Sequence, residues 1–427
     1  MKERRRATRW VAVVAAVPLA LAAACTSSQE KKDGGQSAPP PQLAISPAAN
    51  AKNLPISTEV GLTVTGGKVT EVKLTDDKGG KVSGALRPDG TSWIPEKALK
   101  NKQSYTAQVT ATNDAGKSVT QTTSFTTMDK PAKEVFSTLY VQDKRTYGVA
   151  MPVVVDFDPG VPKERRADVQ RRLFVNTNPA QPGAWHWTED GQQVFYRAPD
   201  FWKPGTEITV RAMLNGVPMG KEGFGDADRS ASAKIGSNKV TLDIDNRTKQ
   251  MSVFKDDKLV RKIPVSLGKP STPTSSGKMV IMEKHEQTVF DTTGSADPYV
   301  VTVQDAQRLT WGGEFIHSAP WSEGDQGSTN VSHGCTNVSA ADAAFLMKTT
   351  SVGDLVTIRG TEVTLDNGNG WTAWNMDWKE YVKGSALPVP QDLKPAPAPP
   401  AAAGAPAPTG SPSANQPPAP APTAPGG

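Results

Sequence analysis

The 427-residue sequence has little net charge with which to hold a polyanion. It contains 48 Lys and Arg residues against 43 Asp and Glu residues, a formal net charge of +5. Residues 1–24 carry five of the basic residues and one of the acids, so the net charge without them is only about +1. This balance argues against a nucleic-acid partner bound by bulk charge, and we expect none.

Long apolar runs are also lacking beyond the N-terminus, so we do not expect the body of the chain to span a membrane. The first residues are different. A basic stretch, an apolar run from Trp10 to Leu21 and a series of small residues predict an export signal over residues 1–24. The run Arg4-Arg5-Arg6 leaves open whether export follows the general or the twin-arginine route.

Cysteine is scarce, with only Cys25 and Cys335. Cys25 directly follows Ala22-Ala23-Ala24, a pattern that resembles a bacterial lipobox and predicts acylation of its thiol; ordinary cleavage that leaves an idle thiol is the alternative. Acylation of Cys25 would exclude an intramolecular disulfide. Residues 25–44, rich in Ser, Gly, Pro and Lys, then form a lipid-anchored linker.

Most of the remaining chain alternates apolar and polar residues with turn signals at short intervals, the pattern of β-sandwiches. We interpret residues 45–130 and 131–234 as two immunoglobulin-like modules that act as spacers and lack the Cys pair of antibody domains. In the second module, His186 lies between Trp185 and Trp187. Packing against the sheet is the favoured interpretation of this cluster, and glycan binding is the alternative.

A third segment, residues 235–360, predicts a β-rich domain, with strands at Leu259–Leu267, Lys278–Glu283 and Leu355–Arg359 and a helix at Ala340–Lys348. Residues 361–386 follow as a Trp-rich subdomain. Its aromatic residues are spaced as one face of a helix that docks on the third domain, and they are Trp371, Trp374, Trp378 and Tyr381. Residues 387–427, almost all Pro, Ala, Gly and Ser, predict a disordered tail.

The densest group of reactive side chains lies in two short motifs of the third domain. They are residues 316–322, with the sequence IHSAPWS, and residues 332–338, with the sequence SHGCTNV. A cysteine becomes a nucleophile when a neighbouring imidazole accepts its proton, and that imidazole must itself be held by an acceptor. Gly334 permits close approach of the backbone to a substrate. The pattern predicts acyl transfer through a thioester on Cys335, and spacing alone leaves His317 and His333 both open as the base.

Other interpretations fit these motifs less well. A zinc site on His317, His333 and Cys335 has suitable ligand types but lacks a fourth ligand. A papain-like peptidase carries its histidine downstream of the cysteine, and no His follows Cys335. A sortase-like enzyme would use His before Cys and then an Arg such as Arg359, at wider spacing. The last alternative is that Cys335 is an inert core residue that packs beside a buried histidine. This would explain one histidine near Cys335, but two lie close to it in the sequence.

The two motifs resemble the signature of the L,D-transpeptidase catalytic (YkuD) domain: a His, a spacer of about fifteen residues, then Ser/Thr-His-Gly-Cys-x-Asn. The resemblance spans roughly residues 236–360 and includes the stretch Ser266–Met279, whose turn Thr274-Ser275-Ser276-Gly277 lacks the usual Pro. With the lipobox, two immunoglobulin-like modules and the Trp-rich segment, the chain looks like the mycobacterial-type enzymes.

The resemblance implies roles for individual residues. Cys335 is the implied nucleophile, His317 its base, and Ser318 the residue that orients the base, while His333 shapes the site. A lid including Thr288–Tyr299 is implied to cover it. The residues implied to bind the acyl oxygen or substrate, or to support the site, are Tyr299, Trp321, Ser332, Gly334, Asn337 and the amide of Cys335.

The implied activity is peptidoglycan L,D-transpeptidation. The enzyme would cleave D-Ala from a tetrapeptide stem, form 3→3 cross-links and be acylated by carbapenems. A non-catalytic wall-binding lipoprotein and a hydrolase using the same site, an L,D-carboxypeptidase, remain the alternatives. The expected partners are peptidoglycan stem peptides and the membrane that holds the anchor. The expected location is therefore outside the cytoplasm, facing the cell wall, with no metal or other cofactor; the sequence leaves the oligomeric state open.

Overall fold

The computed structural model describes residues 38–294 and 298–395, and the fold is mainly β, as the alternating pattern predicts. The export signal, Cys25, most of the predicted linker and the tail beyond residue 395 lie outside the described residues. Among the residues that are described, no helix has the length and apolar character that a membrane crossing requires.

The first module is a sandwich of two sheets, with strand orders β1-β3-β7-β6 and β2-β9-β8-β4-β5. Its first strand begins at Gln42, so the ordered module starts earlier than the predicted boundary at residue 45. Alternate residues of β8, Ala107, Val109 and Ala111, are buried between the sheets. The strands are β1 (Gln42–Ser46), β2 (Ala51–Leu54), β3 (Val60–Thr65), β4 (Lys68–Asp76), β5 (Lys81–Val82), β6 (Gly84–Leu86), β7 (Ser92–Pro95), β8 (Ser104–Thr112) and β9 (Ser118–Thr127).

The second module is a sandwich with strand orders β14-β15-β12-β10-β17 and β11-β18-β16-β13, and one helix, α1 (Lys163–Gln170). Trp185 and Trp187 of β14 are buried in its core, which confirms that this cluster packs against the sheet. The strands are β10 (Lys133–Leu139), β11 (Thr146–Tyr147), β12 (Val153–Asp158), β13 (Leu173–Asn178), β14 (Ala184–Trp187), β15 (Gln193–Arg197), β16 (Glu207–Met213), β17 (Gly223–Gly225) and β18 (Asp228–Ile235).

The third domain has a six-stranded sheet, β21-β20-β19-β27-β22-β28, and a four-stranded sheet, β23-β24-β25-β26. Helix α2 (Ala340–Thr349) begins after Ser339, whose side chain accepts a hydrogen bond from the Asp342 amide. The strands are β19 (Val240–Asp245), β20 (Gln250–Lys255), β21 (Lys258–Pro264), β22 (Ser275–Val280), β23 (Glu283–Asp291), β24 (Val300–Arg308), β25 (Phe315–Ser318), β26 (Thr336–Val338), β27 (Leu355–Arg359) and β28 (Val363–Thr364).

The second module and the third domain share one hydrophobic core, so the second module is not an independent spacer. Val280, Met282 and Leu355 of the third domain belong to the same buried cluster as the core of the second module. Main-chain hydrogen bonds also cross the junction, from the amide of Gly148 to the Val352 carbonyl at 2.7 Å and from that of Ala150 to the Gly353 carbonyl at 3.0 Å. Removing the second module would expose part of the third domain's apolar surface.

The prediction of one long C-terminal helix docked on the third domain is wrong. Only one helical turn forms, α3 (Trp378–Tyr381), because polar side chains before it bind main-chain groups instead. Thr372 accepts a hydrogen bond from the Gly368 amide, Asn375 accepts one from the Lys278 amide, and Asp377 caps α3. The aromatic residues of this segment join mainly the core of the second module.

Arg197 of the second module lies at the centre of the contacts that the C-terminal segment makes with that module. Its guanidinium lies 4.3 Å from the ring centres of Trp374 and Tyr381 and 5.1 Å from that of Trp378. It donates hydrogen bonds to the carbonyl oxygens of Ala373 and other residues, at 2.9 to 3.1 Å. Cation–π contacts of this kind are stabilising when desolvated.

The ordered chain continues past the predicted start of the tail at residue 387. Residues 391–393 form a short 3₁₀ helix, Leu393 is buried, and the Trp378 indole N–H donates to the Leu393 carbonyl at 2.8 Å. The predicted disordered tail therefore begins too early in the sequence; residues 396–427 lie outside the described residues.

Candidate functional site

The pairing of two strands brings the two sequence motifs together. Strands β25 and β26 are parallel, and their register sets His317 opposite Asn337. Cys335 lies at a bend just before β26, two residues from Asn337. The strand pairing therefore brings Cys335 to the same site as His317, although 18 residues separate them in the sequence.

Both residues line a cavity of about 340 Å³, which collects seven of the sequence-predicted residues. Trp321 stands at its edge with 58% of its surface exposed. Ser318 and Gly334 do not line it. The lining residues are Phe290, Tyr299, Val301, His317, Trp321, Ser322, Asp325, Val331, Ser332, His333, Cys335 and Asn337.

Two larger cavities, of about 910 and 750 Å³, lie at the junctions between modules. Neither is lined by a histidine or a cysteine. Because a nucleophile and a base are the groups that acyl transfer needs, the smaller cavity is the candidate active site.

Cys335 is more enclosed than the sequence suggests, with only 6% of its surface exposed, and it packs against Val303, Ala306 and Phe315. Its thiol donates to the Gly313 carbonyl oxygen at 3.6 Å. Burial raises the pKa of Cys335 to about 12, while the Phe315 amide acts in the opposite direction and the charge of Glu314 raises it further. Burial therefore favours the neutral thiol over the thiolate.

His317 is buried and held in one tautomer. Its Nδ1 is 2.8 Å from the main-chain oxygen of Ser318. A carbonyl oxygen can only accept, so Nδ1 carries the proton and Nε2 is the basic nitrogen. Burial lowers the pKa of His317, and the Ser318 bond acts in the opposite direction. The ring is thus a neutral base, and Ser318 orients it through its carbonyl rather than its hydroxyl.

His333 has different surroundings. It is exposed, its ring lies 4.7 Å from that of Tyr299, and its Nε2 is 3.1 Å from the Lys269 ammonium. Because an ammonium group only donates, Nε2 of His333 is the acceptor in this contact. His317, with an uncharged main-chain partner, is therefore better placed to act as the base than His333.

Gly334, which the resemblance implies binds the acyl oxygen or substrate, has its amide hydrogen-bonded within its own loop. Gly334 has φ +119°, and its N–H donates to the Ser332 hydroxyl oxygen at 3.1 Å, a local bond that Ser residues often make in turns. The Ser332 hydroxyl in turn donates to the Cys335 carbonyl at 2.6 Å. The Cys335 amide remains as a candidate donor.

Asn337 supports the wall of the cavity. Its main chain forms a bridge with Ser266, with hydrogen bonds of 2.9 and 3.1 Å, and its side-chain amide donates to the Ser322 hydroxyl at 3.1 Å. These contacts tie the strand that follows Cys335 to both flanking segments.

Phe290 of β23, within the predicted lid, packs edge-on against the His317 ring at 5.2 Å and so covers the site. Residues 295–297 of that lid lie outside the described residues.

Sequence reasoning missed Thr274, which is 1% exposed. Its hydroxyl accepts from the Gly268 amide and donates to the Gly334 carbonyl, both at 2.8 Å. The sequence identifies the turn around Thr274, but nothing in it shows that the Thr274 hydroxyl reaches a loop 60 residues away.

Within the described residues, no group of three or more His, Cys, Asp or Glu side chains is arranged to hold a metal ion. The His317, His333 and Cys335 set considered from the sequence is not such a group.

The chain thus consists of two β-sandwiches followed by a β-rich domain, and the cavity lined by Cys335 and His317 lies in that third domain. The sequence profile of the L,D-transpeptidase catalytic domain matches residues 239–358, and that of a bacterial Ig domain matches residues 51–218, across both sandwiches. L,D-transpeptidase 2 of Mycobacterium tuberculosis is 31% identical over 81% of this chain and 85% of its own length. L,D-transpeptidase 5 of the same organism is 32% identical over 83% of this chain and 79% of its own length.

Among solved structures, the L,D-transpeptidase LdtMt1 in complex with imipenem is 31% identical, with a TM-score of 0.44; the match covers 54% of this chain and all of that one. Because L,D-transpeptidases 2 and 5 match over most of both chains, this chain belongs to the L,D-transpeptidase family, which is a transferase family.

Proposed function

We propose that this protein is a peptidoglycan L,D-transpeptidase that forms 3→3 cross-links through a thioester on Cys335. The observation that supports this most strongly is that Cys335 and His317 line one cavity while the Ser318 carbonyl holds His317 Nδ1, which makes Nε2 the basic nitrogen. A thiol and a basic imidazole nitrogen in one site are the two groups that a cysteine acyltransferase requires.

The donor is a tetrapeptide stem whose third residue is a diamino acid and whose fourth is D-Ala. The Cys335 sulfur attacks the carbonyl carbon of the third residue as His317 Nε2 takes the thiol proton. The amide C–N bond then breaks, and His317 returns the proton to the nitrogen of D-Ala, which leaves. The thioester that remains conserves the energy of the cleaved amide.

The side-chain amine of a second stem resolves the thioester. The amine nitrogen attacks the thioester carbonyl carbon and gives a proton to His317. The new amide forms as the C–S bond breaks, and His317 returns the proton to the Cys335 sulfur. The Cys335 amide, with Tyr299 at the cavity wall, is suited to stabilise the oxyanion of both steps. The apolar cover of Phe290 and Val301 limits water, which favours the amine over hydrolysis.

Burial affects how the proton moves in this mechanism. Because burial raises the pKa of Cys335 and lowers that of His317, it favours the neutral form of each, and we expect proton transfer to accompany attack rather than precede it. Carbapenems, whose strained carbonyl can take the place of the stem carbonyl, are expected to acylate Cys335 by the same steps.

The test is to incubate the purified protein with a disaccharide-tetrapeptide and to weigh the products. A dimer that has lost one D-Ala supports the proposal, a monomer that has lost D-Ala indicates a hydrolase, and an unchanged monomer indicates a binding protein. Cys335→Ala should give no product. Intact mass after meropenem treatment should show an adduct on the wild type and none on Cys335→Ala.

We also propose that the protein is exported and anchored through an acylated Cys25, so that it acts at the cell wall. The proposal is supported by the export signal and the lipobox-like pattern in the sequence. Cys25→Ala should move the protein from the membrane fraction to the medium; retention in the membrane fraction would contradict the anchor.

A further inference from the structure

We propose that Trp311 is a positioning residue through which the second module sets the place of the Cys335 thiol. One turn of the third domain, residues 310–314, contacts the second module at Trp311 and the Cys335 sulfur at Gly313. This inference rests on the proposed function in taking Cys335 as the nucleophile.

The second module holds Trp311 through two side chains. The amide of Gln193, in the orientation that satisfies both of its neighbours, accepts a hydrogen bond from the Trp311 indole N–H at 2.8 Å and donates one to the Gly370 carbonyl at 3.3 Å. The Tyr140 ring packs against the Trp311 ring, with the ring centres 5.8 Å apart. Gln193 is buried and belongs to β15, so a sheet of the second module fixes the partner of Trp311.

The turn that follows Trp311 is short and fastened at several points. The Gly313 amide donates to the carbonyl of the buried Thr310 at 3.3 Å, and the Gly312 amide donates to the Asn369 side-chain oxygen at 2.8 Å. Gly313 has φ +94°, which a residue with a Cβ rarely adopts. Because a single residue separates Trp311 from Gly313, we expect a displacement of the Trp311 side chain to move the Gly313 carbonyl as well.

The Gly313 carbonyl holds the nucleophile. It accepts the hydrogen bond of the Cys335 thiol at 3.6 Å, while the rest of the side chain packs against apolar residues such as Val303 and Phe315. A shift of this carbonyl therefore changes the direction of the S–H bond and the place of the sulfur relative to His317. Attack is sensitive to such changes, since a misplacement of about 1 Å can slow a reaction by about 100-fold.

A second tryptophan at the same junction serves as a comparison. Trp371 also packs against Tyr140, with the ring centres 5.2 Å apart. It lies outside the turn, and it belongs to the core of the second module rather than to the cluster around Cys335. The two tryptophans therefore separate an effect of the turn from an effect of the junction as a whole.

The test is the infrared S–H stretching band, which lies at lower wavenumber when the thiol donates a hydrogen bond. The chain has two cysteines, so a Cys25→Ala background leaves Cys335 as its sole thiol, and adding Cys335→Ala identifies the band. Trp311→Phe removes the indole N–H, and Gln193→Leu removes its acceptor from the side of the second module. In both variants the band should move to higher wavenumber, because the bond to Gly313 is weakened.

The kinetic readout is acylation by meropenem. At saturating meropenem, we expect the first-order rate constant of Trp311→Phe and of Gln193→Leu to fall about 3–10-fold, with the half-saturating concentration within about twofold of the background. Both substitutions break one hydrogen bond, so the double variant should be no slower than the slower single variant.

The matched control is Trp371→Phe, the same substitution at the other tryptophan that packs against Tyr140. Its S–H band and its acylation rate should match those of the background. Gln193→Leu acts on the same bond from the second module and carries the test if Trp311→Phe does not fold. An unshifted band in Trp311→Phe and Gln193→Leu, a shift as large in Trp371→Phe, or rate losses that multiply in the double variant would each overturn the inference.

The infrared band needs no substrate, so the two proposals fail separately. If wild type makes cross-links and the S–H band is the same in all variants, only the inference about Trp311 is overturned. If the band shifts in Trp311→Phe and wild type forms no acyl-enzyme, the turn does set the place of the thiol and the proposed function fails.

Discussion

Two histidines in this chain, His186, which is half-buried, and His317, which is buried, make the same kind of hydrogen bond in different surroundings. His186 Nδ1 lies 2.7 Å from the Tyr381 carbonyl, and His317 Nδ1 lies 2.8 Å from the Ser318 carbonyl. Burial lowers the pKa of both rings. His186, however, stacks on the Tyr381 ring at 5.0 Å, and a Cβ on Gly384 would come within 2.1 Å of its Nδ1. His317 faces a cavity that also contains a thiol.

A fixed tautomer is therefore not what distinguishes a candidate catalytic histidine in this protein. The same local bond holds a packing residue, His186, in the aromatic region around Arg197 and the proposed base, His317, in the cavity of the third domain. The difference lies in the second ring nitrogen, which is useful only where a reacting group can reach it. The predictions that follow test this division between a region that stabilises and a region that reacts.

The largest expected effect is on activity, and it should separate the two histidines. His317→Gln should reduce the rate of acylation by meropenem by about 10²–10⁴-fold, because the general base is lost. His186→Gln can still donate to the Tyr381 carbonyl and should stay within about twofold of wild type. Stopped-flow acylation measures both. Equal losses in the two variants would remove the distinction.

The next effect is on stability and belongs to the aromatic region. Arg197 is 2% exposed, and Arg197→Met would leave several carbonyl oxygens without donors, including that of Ala373. We expect a loss of about 2–4 kcal/mol in the free energy of unfolding. Chemical denaturation measures it. Acylation by the folded fraction should remain near wild type; a specific loss of acylation would tie the two regions together.

A smaller effect is expected for Thr274, whose hydroxyl supports the loop that carries Cys335. Thr274→Val removes the hydroxyl that joins the Gly268 amide to the Gly334 carbonyl and should slow acylation by about tenfold, because the loop that carries Cys335 is less well positioned. Thr274→Ser keeps the hydroxyl and is the control. If Val and Ser behave alike in meropenem acylation, the hydroxyl has no positioning role.

The smallest effect is a displacement of the pH profile. The pKa of His317 is lowered by burial, so the ring stays neutral, and able to accept a proton, below its ordinary value of about 6.5. Acylation should therefore fall on the acid side only as the pH drops through that lowered value. Rates of meropenem acylation between pH 5 and 8 locate the midpoint, and a midpoint at or above the ordinary value would contradict the burial argument.

The strand patterns and the two motifs were sufficient to predict much of the fold and site. Leu355–Arg359 is a strand as predicted, and α2 covers the predicted Ala340–Lys348. Alternation reports burial on one face of a sheet, which is a local property. The Trp-rich segment failed for the opposite reason: the spacing of Trp371 and Tyr381 fits a helix, but Arg197 and the second module supply partners that no local pattern contains.

By itself, the sequence determined the chemistry that is available: one cysteine and two histidines in adjacent motifs, on a chain rich in β patterns. Only the tertiary structure decided that His317 is buried with its Nδ1 on a main-chain carbonyl, that the Cys335 thiol is enclosed, and that the second module shares its core with the third domain. The reason is physical. Residue types and their periodicity are local, whereas burial, tautomer and electrostatic environment depend on groups brought together from distant parts of the chain.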